Sequence, residues 1–278
     1  MPHPFDPGYS RKPFSTLAAA YPGPDVYPPK DFRVEWGPVF HRGRLDGTAR
    51  VLVIGQDPGS HESIARRILV GEAGQRIQGF LAKLGIETSY AMVNTFLYSV
   101  YGQGGGERHK DDHVIAGYRN KWLDALLVGR GVEVVVALGG LADFAFQTWR
   151  STPSGHGVDV AYRHIRHPTY PESASSAGQK KKSEAMKEML ADWNEALQEL
   201  RPNLHHPDVD RALVLYGEAL DKATDLASIP DRDLPAGTPE WMRSLDAWAL
   251  RRGEDAEAKR ATIVVTVPRK QRPWNPSP

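Results

Sequence analysis

The chain alternates short, densely apolar runs with longer segments whose apolar residues recur every three to four positions. Residues 48–54 end in Val51-Leu52-Val53-Ile54, and Gly55-Gln56-Asp57-Pro58-Gly59 follows at once. Such a run predicts a buried strand closed by a tight polar turn. Residues 62–84 carry Ile64, Ile68, Ile77, Phe80, Leu81 and Leu84 at helical spacing and stop at Gly85, a helix C-terminal signal; Gly71 and Gly74 are places where this helix breaks in two. Residues 89–100 predict a second strand, interrupted by the polar Asn94, and 102–106 a flexible glycine loop. A helix over 111–127, a buried strand over 133–138, a helix over 139–149 opened by a glycine pair, a strand over 160–166 and a helix over 176–200 complete the pattern. The alternation predicts an α/β fold, a four-stranded, mostly parallel central sheet flanked by helices.

The flanks read differently. Residues 1–47, rich in Pro, Gly and aromatics, predict an irregular N-terminal wrap with one short helix near 17–20. The α/β core spans 48–200, and 201–278 reads as a helical C-terminal extension. Within it, 207–227 and 239–258 predict helices, 228–239 a loop, 261–267 an extra edge strand and 268–278 a basic, proline-rich tail.

Composition narrows the function classes. A net charge of +1 gives no global nucleic-acid signature, so a basic surface must come from local clustering. The absence of cysteine excludes disulfides, thiolate zinc sites, iron–sulfur clusters and cysteine nucleophiles. No apolar run reaches the roughly 20 residues of a membrane span, and Met1 to Pro13 lacks the apolar stretch of a secretory signal. The expectation is a soluble, cytoplasmic protein.

Three polar residues stand where chemistry is done. Ligands of open α/β sheets bind beyond the carboxyl ends of the strands. Asp57 closes the first strand, and it reads either as a turn-capping carboxylate or as one that orients water and stabilises a developing cation. His167, in His167-Pro168-Thr169 after the fourth strand, reads either as a loop histidine or as a neutral imidazole donating to a developing anion. Asn94 reads either as a buried amide bonded to loop backbone or as a base reader, since one amide carries both donor and acceptor. The basic run Lys180, Lys181, Lys182 is either a solvated helix face or a phosphate contact, and for Arg66 and Arg67 a surface role is favoured.

Taken in order, Gly55-Gln56-Asp57-Pro58-Gly59, the strand asparagine Asn94 and His167-Pro168-Thr169 resemble the uracil-DNA glycosylase superfamily. Leu69-Val70-Gly71-Glu72-Ala73-Gly74 and Ile77-Gln78-Gly79-Phe80-Leu81 are similar to the segment after the turn in its iron–sulfur branch. The turn is a hybrid: it keeps the acid of one branch and ends in glycine like the other. In the branch with the acid, a tyrosine at the Gly59 position blocks the 5-methyl of thymine; here it is missing. Leu69 stands where the iron–sulfur branch has a base-stacking phenylalanine, and the cluster cysteines are absent.

The resemblance implies a monofunctional DNA glycosylase that starts base-excision repair, with no metal or organic cofactor. Its partner would be uracil-containing DNA, single- or double-stranded, met as a monomer. Asp57 and His167 would be catalytic, and Gln56, Gly59, Leu69 and Asn94 would form the uracil pocket. The DNA contacts would be Ser60, His61, Thr169, Tyr170, Pro171, Ser173, Lys180, Lys181 and Lys182. The wedge that flips the nucleotide falls near Tyr170 or Pro171, where the usual leucine is lacking. The alternatives are a glycosylase of the same fold preferring hypoxanthine or xanthine, and a nucleic-acid-binding module without turnover.

Overall fold

The computed structural model describes residues 11–101 and 103–272. The first ten residues of the expected wrap, Gly102 of the expected glycine loop and 273–278 of the expected tail lie outside the described residues.

Five strands form the central sheet in the order β1-β3-β2-β4-β5. They are β1 (His41–Gly43), β2 (Val51–Gly55), β3 (Tyr90–Asn94), β4 (Val134–Leu138) and β5 (Ala161–Ile165). The four strands expected from the apolar runs are parallel, and the fifth, β1, runs antiparallel against β3 within the stretch read as irregular. Because side chains alternate along a strand, the sheet is apolar on both faces. Leu52, Ile54, Ala91, Val93, Val135 and Ala137 face one helical layer, and Val51, Val53, Tyr90, Met92, Val134 and Val136 face the other. That two-sided burial is why β2, β3 and β4 read as nearly continuous apolar runs.

The helices of the core are α1 (Phe14–Ala19), α2 (Ser60–Ala65), α3 (Glu72–Lys83), α4 (Gln103–His109), α5 (His113–Leu127), α6 (Gly140–Arg150), α7 (Pro153–His156), α8 (Tyr170–Ser176) and α9 (Lys182–Leu200). The first layer is built on α1, α5 and α6, and the second on α3 and α9. The expected break in 62–84 lies between α2 and α3, where Arg66 and Leu69 adopt left-handed backbone at φ 58° and 53°. The glycine run read as a loop continues into α4, and the helix expected over 176–200 is divided at Gly178, φ 68°, into α8 and α9.

The C-terminal third departs most from expectation. Residues 207–227 are irregular, with bends and a turn at 222–225, not helical. Gly79 of α3 permits this packing: a side chain there would collide with the backbone of Asp225. This stretch is held by side chains acting as backbone surrogates, as where Asn194 both donates to the Tyr216 carbonyl (3.0 Å) and accepts from its N–H (2.8 Å). Residues 239–258 form a short 3-10 turn (Glu240–Arg243) and then β6 (Ala249–Leu250), which pairs with β7 (Val264–Val265) in a separate two-stranded sheet. The expected edge strand therefore joins a hairpin instead of the central sheet. One further helix, α10 (Ala256–Ala261), lies within that hairpin. No helix among the described residues is long and apolar enough to cross a membrane.

Candidate active site

The crossovers leave β2 and β4 in opposite directions, so a crevice opens between their carboxyl ends. There the structure has an open cleft of about 1100 Å³, walled by the turn after β2, the end of β3, the start of α6, the loop after β5 and residues 249–251.

Asp57 lines this cleft. Its Oδ2 accepts the Val100 N–H at 2.9 Å, which fixes the carboxylate against the chain that leaves β3. Burial pushes its pKa up to about 6, against the opposing pull of the Val100 amide, Arg251, Gln56 and Arg33. Such a carboxylate is ionised at neutral pH while remaining poorly hydrated, and a desolvated anion interacts strongly with positive charge forming near it.

His167 enters from the opposite wall. Thr169 donates its backbone N–H to His167 Nδ1 at 3.2 Å, and its hydroxyl lies 2.9 Å from the same atom. A backbone amide can only donate, so Nδ1 is the unprotonated nitrogen and the ring's proton is on Nε2. Burial, and then the nearby Arg76 guanidinium, lower the imidazole pKa to about 4. The ring is thus a neutral donor at physiological pH. Arg76 also fixes the loop: it donates to the Pro168 carbonyl and to both oxygens of Glu172 at 2.9 and 3.0 Å.

Asn94 ends β3 beside Gly55 of β2 and is 8% exposed. Its Oδ1 is buried over the Cα of Gly55, the side a Cβ would occupy, and has no hydrogen-bond partner. An unpaired buried acceptor costs about 1–3 kcal/mol, and a ligand donor arriving in the cleft would recover that.

Gln56, Gly59 and Leu69 also line the cleft, Leu69 by virtue of its left-handed backbone. The bare Gly59 position is not open space. A Cβ there would lie 2.6 Å from Glu62 Oε2. Glu62 is held by its other oxygen, which accepts the Val70 and Gly71 N–H groups at 2.8 and 3.1 Å. A carboxylate therefore fills the wall where an aromatic ring was missed. Sequence reasoning passed over Glu62, although its place three residues after Gly59 in the first turn of α2 was a usable signal.

The expected DNA contacts divide. Ser60, Thr169, Tyr170 and Ser173 line the cleft. His61 lines it too, but its Nε2 is engaged by the Trp248 and Ala249 N–H groups at 3.3 Å, and its ring meets the Trp248 indole edge-on at 4.7 Å. Pro171 is buried, and the Tyr170 hydroxyl is bonded to Glu188 at 3.0 Å with Arg166 over its ring. Neither protrudes as a wedge must. Lys180 pairs with Glu188 and Lys182 with Glu172 (2.9 Å), and none of the three lysines lines the cleft. Arg66 donates to the Trp36 carbonyl at 2.7 Å and to that of Pro38, tying α2 to the N-terminal segment.

Arg251 was not among the expected site residues. From the far end of the chain it reaches the cleft, donating to Ser99 Oγ at 2.9 Å beside buried Arg33, which donates to the same oxygen at 3.1 Å.

The Uracil DNA glycosylase superfamily matches the chain over residues 42–198, more than half its length. The chain belongs to the uracil-DNA glycosylase superfamily. Superfamily membership supports a DNA glycosylase-type hydrolase that binds DNA and acts in its repair. The matched span runs from β1 through α9 and contains Asp57, Asn94 and His167, whereas Leu250 and Arg251 lie beyond it. No curated protein is similar enough to the chain to match it.

Proposed function

We propose that this superfamily member is a monofunctional uracil-DNA glycosylase. The observation that carries the reading is the Asn94 amide, its Oδ1 without a partner, on a residue that lines the same cleft as Asp57 and a neutral His167. Uracil N3–H would satisfy Oδ1, while Asn94 Nδ2 would donate to O4. Cytosine offers the reverse pattern, a bare N3 and an exocyclic amine, and would leave two buried groups mispaired.

With the nucleotide flipped out of the stack, the bond between the sugar C1′ and uracil N1 breaks and its electron pair leaves with the base. His167 donates from Nε2 to uracil O2 as negative charge gathers there. Asp57 stabilises the cation-like sugar and positions the water whose oxygen bonds to C1′; that water's surplus proton passes to Asp57 or to solvent. Gln56 and Gly59 border the base, and Leu69 packs on it. Glu62, fixed beside Gly59, would crowd a 5-methyl group and so disfavour thymine.

The test is release of free base from labelled oligonucleotides carrying uracil, thymine, cytosine, hypoxanthine or xanthine, single-stranded and in duplex. Uracil alone should be released, and the abasic strand should break only after alkali. Faster release of hypoxanthine or xanthine would move the assignment to a different deaminated base. Binding without release would reduce the protein to a binding module.

A further inference from the structure

Extruding a nucleotide from a duplex leaves a gap that an apolar side chain must fill if the stack is not to reclaim the base. The loop after His167 supplies none, since Pro171 is buried and Tyr170 is tied to Glu188 and Arg166. Among the described residues, Leu250 is the one large apolar side chain that is exposed, at 42%, and also lines the cleft.

Its setting is built. On one side, the Trp248 and Ala249 amides are pinned to His61, and Trp248 is packed edge-on against Trp241 at 5.4 Å with its Nε1 donating to the Met242 carbonyl at 2.9 Å. On the other side, Arg251 is bonded to Ser99 and stands over the Trp36 ring at 5.7 Å. Leu250 pairs with Val264 in the hairpin, which stiffens it further. A leucine whose backbone is held by both neighbours gives up little backbone freedom on insertion. Arg252 follows it, exposed and in no ion pair among the described residues, where a phosphate beside the gap can be met.

We propose that the C-terminal hairpin is a DNA-facing arm and that Leu250 is the wedge that occupies the gap left by the flipped nucleotide, with Arg252 on the neighbouring phosphate. The inference rests on the glycosylase reading above but locates the wedge outside the matched span, on a segment that the core sheet does not carry.

The experiment compares wild type, Leu250→Ala and Leu250→Phe. Each acts on one uracil-containing sequence, as a single strand and as a U·A duplex. Each also binds a duplex whose abasic-site analogue is flanked by fluorescent 2-aminopurine, a readout that needs no turnover. A single strand has no stack to hold open. Leu250→Ala should therefore stay within about twofold of wild type on it, yet fall about tenfold or more on the duplex. It should also lose the 2-aminopurine brightening, and Leu250→Phe should restore both. Equal duplex rates and equal brightening for wild type and Leu250→Ala would overturn the wedge, as would a wild type that binds without brightening. Brightening that depends on Leu250, in a protein that releases no uracil, would uphold the wedge while sinking the uracil reading.

Discussion

Residues 42–198 and residues 201–272 are held together by different means. The first region is a sheet between two helical layers, and its central strands β3, β2 and β4 are buried throughout, mostly by their own apolar residues. The second contributes short elements and irregular stretches, fastened to the first by apolar residues such as Leu204, Tyr216, Ile229, Leu234 and Trp248 and by individual buried or half-buried polar side chains. Asp208 accepts the N–H groups of Glu87, Thr88 and Ser89 at 2.6–2.8 Å. Burial raises its pKa, but these donors and the Ser89 hydroxyl pull it down to about 2. Asp233, fully buried, meets the equally buried Arg42 of β1 at 3.1 Å and accepts from the Tyr90 hydroxyl at 2.5 Å. Lys83 and Asp225 pair at 2.8 Å. In the first region apolar periodicity becomes strand and helix; in the second it does not, and the chain follows the places where its apolar residues and carboxylates dock on the first. The two meet at the cleft, where the first supplies Asp57, Asn94 and His167 and the second supplies Arg251 and Leu250.

If that division is right, changes in the first region's cleft act on rate, and changes at the second region's anchors act on stability. His167→Ala should slow single-turnover excision by about 10²–10⁴, the range for removing a positioned proton donor. Its melting temperature should stay near wild type. A variant within threefold of wild type would remove His167 from the chemistry. Asp233→Ala leaves Arg42 charged and unpaired in a dry site, and breaking such a pair costs about 3–5 kcal/mol. Denaturant unfolding should show that loss, while excision at low temperature should persist.

Glu62 lies on the border and sharpens the comparison. Glu62→Ala clears the space beside Gly59 and also strips two backbone N–H groups of their acceptor, at about 1–3 kcal/mol. Thymine release should appear beside uracil release. Thymine still excluded would show that Glu62 serves only the Val70 and Gly71 amides. The smallest effect should come from replacing Lys180, Lys181 and Lys182 with alanine. Two of these pair with Glu188 and Glu172, and exposed pairs, screened by solvent and salt, contribute little. Salt titration of DNA binding should then give nearly the wild-type slope; a slope reduced by two or more would return the run to the DNA groove.

The same division explains what the sequence disclosed. β2, β3 and β4 were legible because parallel strands buried on both faces read as apolar runs, β5 as a more polar run at the sheet edge, and Asn94 as a polar break in β3. Asp57 and His167 were legible because both close strands. β1 was missed because His41-Arg42-Gly43 has no apolar residue, and Arg42 is satisfied by Asp233 from 191 residues away. The helices expected over 207–227 and 239–258 failed for the converse reason. Apolar spacing was present and no proline lies inside either span, but tertiary anchors such as Asp208 on the 87–89 backbone and Asp225 on Lys83 outweigh local preference. Arg251 could not be read at all, since nothing local in Leu250-Arg251-Arg252 reports that the hairpin folds back on Ser99 and Trp36.

The central claim is that an ionised Asp57 and a neutral His167 cleave the bond to uracil. Its most direct test is single-turnover release of uracil from a single strand across pH, for wild type and Asp57→Asn. Burial raises Asp57 to about 6, and the working form is the ionised one, so the wild-type rate should climb with pH through about 6 and then level. His167, lowered to about 4, stays neutral over that window and adds no second break. Asp57→Asn should be slower by about 10²–10⁴ and lose the rise near pH 6. No uracil released at any pH, or an Asp57→Asn variant with the rate and profile of wild type, would contradict the account.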